Sequence, residues 1–239
     1  MHVVKTVVII PALNPLNSII DYVNTLKEIN IDKIIIINDG SDEKYEPVFK
    51  ELQNIEWCTV LNHGENLGKG RALKTGFSYV LNHHKNVDSI ITAGAHGQHQ
   101  IEDVAQIIRH AELFSDGIIL GVRNFNTKDM PLISTIGNRA ASVLFELFFH
   151  RRLLDTQTSL RCIPKQVLPW LIRVNGEDFS FDTNMLVEAI KRKIPIYEIP
   201  IGQARIKKNS IMFYDEITNA HKLIQQMITT YTKSKKQHE

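Results

Sequence analysis

The sequence predicts a single α/β domain with a mostly parallel central sheet. Three observations predict it. Short runs rich in Val and Ile alternate with segments of helical period, the pattern of repeated β-α units around a buried sheet. The chain of 239 residues is 43% hydrophobic, enough for one substantial core. No internal repeat or low-complexity linker divides it.

Taken in order, the expected strands are Val3 to Ile10, Ile34 to Ile37, Thr59 to Leu61, Ser89 to Thr92 and Ile118 to Leu120. The expected helices between them are Ile19 to Ile29, Gly70 to Asn82 and Ile101 to Phe114, the last with Val104, Ile107, Ile108 and Ala111 on one face. The second half is less regular. Ser134 to His150, Lys165 to Leu171 and Thr183 to Arg192 read as helices, and Ile196 to Ile199 reads as a strand. A last helix stripe runs from Ile217 to Tyr231 before a charged tail, so the expected division is a domain over 1–213 and a C-terminal amphipathic helix with its tail over 214–239.

Charge excludes some classes of partner. With 28 basic and 26 acidic side chains the formal net charge is only +2, so no overall field favours wrapping a nucleic-acid backbone. An anionic ligand must be met by local cations. Cys58 and Cys162 stand apart in apolar surroundings without metal-ligand spacing and read as buried, reduced thiols of a cytoplasmic protein. Val3 to Ile10 lacks the cleavage site of a signal peptide, and no segment approaches the roughly 20 apolar residues that span a bilayer. The expected location is cytoplasmic, with any membrane contact made peripherally on the inner face.

Open α/β sheets bind ligands where their strands end, which directs attention to the loops. The first loop is Pro11-Ala12-Leu13-Asn14, where proline is expected to end the strand. The second strand runs into Asn38-Asp39-Gly40-Ser41-Asp42. There Gly40 would let backbone approach a ligand and the carboxylates accept from a base or ribose, although a plain Asx-type turn fits as well. After the third strand, Asn66-Leu67-Gly68-Lys69-Gly70-Arg71-Ala72 places cations at a helix start suited to phosphate. It is not a P-loop, and no Gly-x-Gly-x-x-Gly follows the first strand, which excludes a dinucleotide oxidoreductase.

These loops, followed in order by His96-Gly97-Gln98-His99, Gly121-Val122-Arg123, Gly137-Asn138-Arg139 and Asp155-Thr156-Gln157-Thr158-Ser159-Leu160-Arg161, resemble family 2 glycosyltransferases of the GT-A fold. The closer likeness is to their dolichyl-phosphate mannosyltransferase-like branch. It covers roughly Val3 to Ile201. The resemblance implies a nucleotide-diphosphate sugar, UDP- or GDP-linked, as donor and a polyprenyl-phosphate lipid or cell-surface glycan as acceptor, with inversion. It places Pro11, Ala12, Asn14, Asp39, Gly40, Ser41 and Asp42 at base and ribose, Lys69, Arg71 and Ala95 near the diphosphate, and Arg123, Ser134 and Arg139 on the acceptor phosphate. Asp155, Gln157 and Arg161 fall at the catalytic centre. The bland alternative for Asp155 and Arg161 is an internal ion pair, and for Ser134 a helix N-cap.

One stretch departs from the family. Where it carries Asp-Ala-Asp-Gly-Gln-His and holds Mg or Mn, this chain reads Gly94-Ala95-His96-Gly97-Gln98-His99. Three resolutions are open. His96 and Gln98, with or without His99, bind a softer ion; or Lys69, Arg71 and a protonated His96 replace the metal; or catalysis is lost and binding kept, as in a scaffold paired with an active homologue. Asn209-Ser210-Ile211-Met212-Phe213 also departs from the branch, with Met212 in place of a histidine. Homo- or hetero-oligomers are both open.

Overall fold

The computed structural model describes residues 4–95, 97, 99–124 and 132–202. The expected 214–239 helix and tail, with Asn209 to Phe213, lie outside the described residues. The strands are β1 (Thr6–Ala12), β2 (Lys33–Asp39), β3 (Cys58–His63), β4 (Ser89–Thr92), β5 (Ile118–Val122), β6 (Arg161–Pro164) and β7 (Ile196–Pro200). They form one sheet in the order β3-β2-β1-β4-β6-β5-β7. All pairings are parallel except those of β6, which runs antiparallel to both β4 and β5.

Alternation along the strands builds two apolar faces. On β1 and β2, Val7, Ile9, Ile35 and Ile37 face one side while Val8, Ile10, Ile34 and Ile36 face the other, all fully buried. Helices cover both faces. The first face is covered by α3 (Lys69–His83), α5 (Leu132–Phe149), α6 (Leu168–Leu171) and α7 (Ser180–Lys191). The second is covered by α1 (Ser18–Leu26), α2 (Glu46–Gln53) and α4 (Ile101–Leu113), and α1 repeats the spacing of α4 through Ile19, Tyr22, Val23 and Leu26. Both cysteines are buried free thiols, and burial pushes each up to about 12.

Three expectations need correction. β1 does not stop at the proline: it continues through Pro11, paired with Ile37, to Ala12. Proline is tolerated because β4 has ended by then, its last partner on β1 being Ile9, so Pro11 pairs on one side only. The helix α2 was hidden by its polar composition, and it starts with Pro47 in its first turn, where a missing N–H costs nothing. The strand β6 was hidden by its length of four residues and by the arginine that opens it.

Candidate functional site

The ends of β1 and β2 are laced together. Asn14 sits at φ 50° and its N–H donates to Ser41 Oγ at 2.9 Å. Its side-chain amide and Asp42 then bond reciprocally, Asp42 N–H to Asn14 Oδ1 at 2.9 Å and Asn14 Nδ2 to Asp42 Oδ2 at 3.2 Å. Three of the expected base and ribose residues are thereby fixed in one patch. Beside it lies a cleft of about 330 Å³ whose lining includes Asn38, Ser41, Asp42, Glu46, Lys50 and Asn62.

Asp39 has a part in holding the chain itself together. Its side chain is buried, and its carboxylate accepts from His63 Nδ1 at 2.7 Å, from Leu67 N–H at 3.1 Å and from Gly68 N–H at 2.9 Å. An ionised carboxylate is acceptor-only, so these bonds hold the loop that leads into α3. His63 Nε2 reaches Thr75 Oγ1 at 3.0 Å and ties the same carboxylate to the helix. Gly40 is likewise explained within the chain. At φ 71°, a Cβ there would collide with the backbone of Glu65 and Asn66, so the close approach is to the protein's own chain.

The start of α3 is an ion-pair centre. Lys69 Nζ donates to Asp182 Oδ2 at 2.5 Å and to Ser159 Oγ at 3.5 Å, and lies 5.6 Å over the Phe179 ring. Arg71 leans away. Its Nε meets Glu177 Oε2 at 2.6 Å on the surface, the buried Lys74 takes Glu177 Oε1 at 2.9 Å, and the Arg71 N–H donates to Glu177 O at 2.9 Å. One first-turn N–H expected to meet phosphate is therefore already used.

A second ion pair comes from the end of β5 and the segment entering β6. Asp155 is fully buried and takes a two-pronged bond from Arg123, Nε at 2.7 Å and Nη2 at 3.0 Å. The internal ion pair open at Asp155 thus forms with Arg123 and not with Arg161. Arg161 is 1% exposed and spans the interior, bonding the carbonyls of Thr158, Asp182 and Thr156 at 2.9, 3.0 and 3.1 Å and pairing with Asp182 Oδ1 at 3.3 Å. Burial pulls its pKa down while Asp182 and Asp155 oppose that. Its guanidinium is a strut under the site. Gln157 stands beside it, with its N–H on Asp155 Oδ1 at 3.2 Å and its amide 3.5 Å from Thr183 Oγ1.

His99 is 3% exposed, with neither ring nitrogen bonded to a described residue. Burial, then the charges of Arg123 and Lys69, hold its pKa down at about 3, so the ring is neutral. Asp182 was missed in the sequence. The available signal was a lone carboxylate on the apolar face formed by Phe181, Met185, Leu186 and Ala189 of α7.

Of the remaining expected residues, Ala95 is buried in the turn after β4, and Arg139 is exposed on α5. Ser134 falls within α5, where its side chain lies outside the described residues, as do His96 and Gln98. Mn or Mg would need oxygen donors. Gly94 offers no side chain, Asp155 is taken by Arg123, and Asp182 is taken by Lys69 and Arg161. An ion there would also share the cleft with Lys69 and Arg123. Among the described residues the donor set does not fit a hard divalent cation, and no group of three or more candidate ligands stands together.

Residues 7–164 match the sequence family described as glycosyl transferase family 2, about two thirds of the chain. The chain belongs to that family. Among family 2 relatives, a UDP-N-acetylglucosamine–dolichyl-phosphate N-acetylglucosaminyltransferase of Methanococcus voltae is 31% identical over 212 residues, covering 81% of this chain and 83% of that protein. A dolichyl-phosphate beta-glucosyltransferase of Saccharomyces cerevisiae is 26% identical over 226 residues, covering 82% and 65%. The fold matches glucosyl-3-phosphoglycerate synthase of Mycobacterium tuberculosis, solved with Mn2+, UDP and phosphoglyceric acid, with a TM-score of 0.71 at 13% identity over 95% of this chain and 78% of that one. The GT-A architecture expected from the sequence is therefore the observed one.

Proposed function

We propose that this family 2 glycosyltransferase binds a UDP- or GDP-sugar and transfers the sugar with inversion to a polyprenyl phosphate at a membrane surface. The observation that carries the reading is the paired cationic centre at the strand ends. Lys69 pairs with Asp182 and Arg123 with Asp155, and the charges of both cations act on the His99 ring. Lys69 and Arg123 each keep part of the side chain exposed, where an anionic ligand can meet them. The names of the dolichyl-phosphate relatives support the acceptor class.

The chemistry asks for positioning more than for acid-base work. An acceptor phosphate is ionised near neutral pH, so its oxygen attacks the anomeric carbon without a strong general base. The new carbon–oxygen bond forms on the face opposite the nucleotide. The bond to the β-phosphate oxygen breaks, and the nucleotide diphosphate leaves with the electron pair and one further negative charge. Asn14 and Asp42 orient base and ribose, Arg123 braced by Asp155 meets the acceptor phosphate, and Gln157 lines the reacting centre. No described helix is long and apolar enough to cross a membrane. A lipid acceptor would be met from the surface, and α5 suits that with exposed Val143 and Leu147 beside Arg139.

The deciding experiment offers labelled UDP- and GDP-sugars with polyprenyl phosphate in vesicles and measures label extracted into organic solvent. Transfer with one donor, abolished by Asp155→Asn with nucleotide binding retained, supports the reading. Tight nucleotide binding without transfer to any lipid phosphate supports the scaffold role instead.

A further inference from the structure

The geometry points to a diphosphate site that works without a metal ion: Lys69 holds the phosphates and the ring of His99 donates to them, while Arg123 keeps its place at the acceptor phosphate. This rests on the nucleotide-sugar reading and specifies how that site meets its charge. Three observations on separate elements support it.

The carboxylates of the cleft are committed. Asp155 spends both oxygens on Arg123, and Asp182 spends its two on Lys69 and Arg161. They serve as positioning residues that aim two cations. The His99 ring is the second observation. A buried polar ring with both nitrogens unbonded to any described residue is costly unless a ligand completes it. The charges of Arg123, Lys69 and Asp155 act on it. A neutral imidazole carries one N–H, which a phosphate oxygen can accept. Lys69 is the third. An ammonium has three donors, of which the described residues use two, on Asp182 and Ser159. Its side chain keeps 17% exposure and so is reachable from solvent.

In the transfer step the charge that appears on the leaving diphosphate is then met by N–H donors on a charged lysine and a neutral imidazole. Such preorganised donors need no reorganisation as the bond breaks.

The test is calorimetric titration of the full chain with UDP, GDP and the matching nucleosides, in chelator and then in excess Mn2+. The expected result is a diphosphate affinity that changes less than threefold between the two conditions. Lys69→Met and His99→Leu should each weaken the diphosphate about tenfold or more, a step of ~1.4 kcal/mol, and leave nucleoside binding unchanged. Circular dichroism and the retained nucleoside affinity show that the variants are folded. A tenfold or greater tightening on adding Mn2+, reversed by chelator, overturns the inference while keeping the nucleotide-sugar reading. If neither diphosphate binds under either condition, that reading falls and this inference falls with it.

Discussion

Replacing Asp182 by asparagine tests the ion-pair centre by itself. The change keeps shape and removes one charge. Two cations lose their carboxylate, Lys69 at 2.5 Å and Arg161 at 3.3 Å, and the second of these is 1% exposed. Breaking a buried pair by removing one partner costs about 3–5 kcal/mol, because a charge is left uncompensated in the interior. Arg161 keeps its three carbonyl acceptors, so the lower end of that range applies. For a chain of this size each kcal/mol moves Tm by about 2–4 °C, which puts the expected fall at roughly 6–12 °C. Urea unfolding followed by circular dichroism gives the free energy, and a calorimetric scan gives Tm. The control is Glu46→Gln, which removes an exposed i,i+4 pair with Lys50 and should change stability by less than ~0.5 kcal/mol. If Asp182→Asn costs less than about 1 kcal/mol, the buried network is not what holds the cleft walls together.

Asp39→Asn leaves a single acceptor oxygen for a carboxylate that now serves three donors, and should cost about 2–4 kcal/mol in chemical unfolding, with nucleotide affinity falling alongside. Gly68→Ala forces a side chain onto φ 99° with its Cβ 2.5 Å from Glu177 O, and should lower stability by at least ~1–2 kcal/mol, whereas Gly64→Ala, with open space around it, should not. Because folding depresses the His99 pKa from 6.5 to about 3, the unfolded chain binds the extra proton between those values. Stability should therefore rise with pH from about 3 to 6.5 and level off above; His99→Asn should flatten part of that slope in pH-dependent urea melts. Leu147→Glu on the 63%-exposed position of α5 should leave Tm within a degree or two while reducing sedimentation with anionic vesicles; unchanged sedimentation would remove α5 from the membrane-facing surface.

The parts of the fold that were readable share a strong period. The run Ile34 to Ile37 and the stripe Val104, Ile107, Ile108 and Ala111 each announce an element because burial demands that spacing. The helix α2 buries only Val48, Phe49 and Leu52 among charged neighbours, and β6 offers two apolar residues between an arginine and a proline, so neither announces itself. In the site, residues near one another in sequence were easier to place than partners across the sheet. Asn14, Ser41 and Asp42 meet because β1 and β2 are neighbouring parallel strands ending together. Asp155 invited a pairing with Arg161 six residues on, yet its partner is Arg123 from the end of β5, a relation set by strand order. The same blindness hid Asp182, whose partners come from α3 and β6.

The reversal of β6 has a mechanical corollary. Loops that leave a parallel strand are moored at their upstream end and can swing, but the stretch carrying Asp155 and Gln157 is moored downstream, by a strand with neighbours on both sides. Its carbonyls are also pinned, Ser159 O by Thr92 Oγ1 at 2.8 Å and Leu160 O by Gly121 N–H at 2.9 Å, while the Leu154 N–H is held by Glu198 Oε1 at 2.6 Å. One jaw of the cleft is thus an anvil, and any opening and closing around a ligand falls to the strand-exit loops that face it.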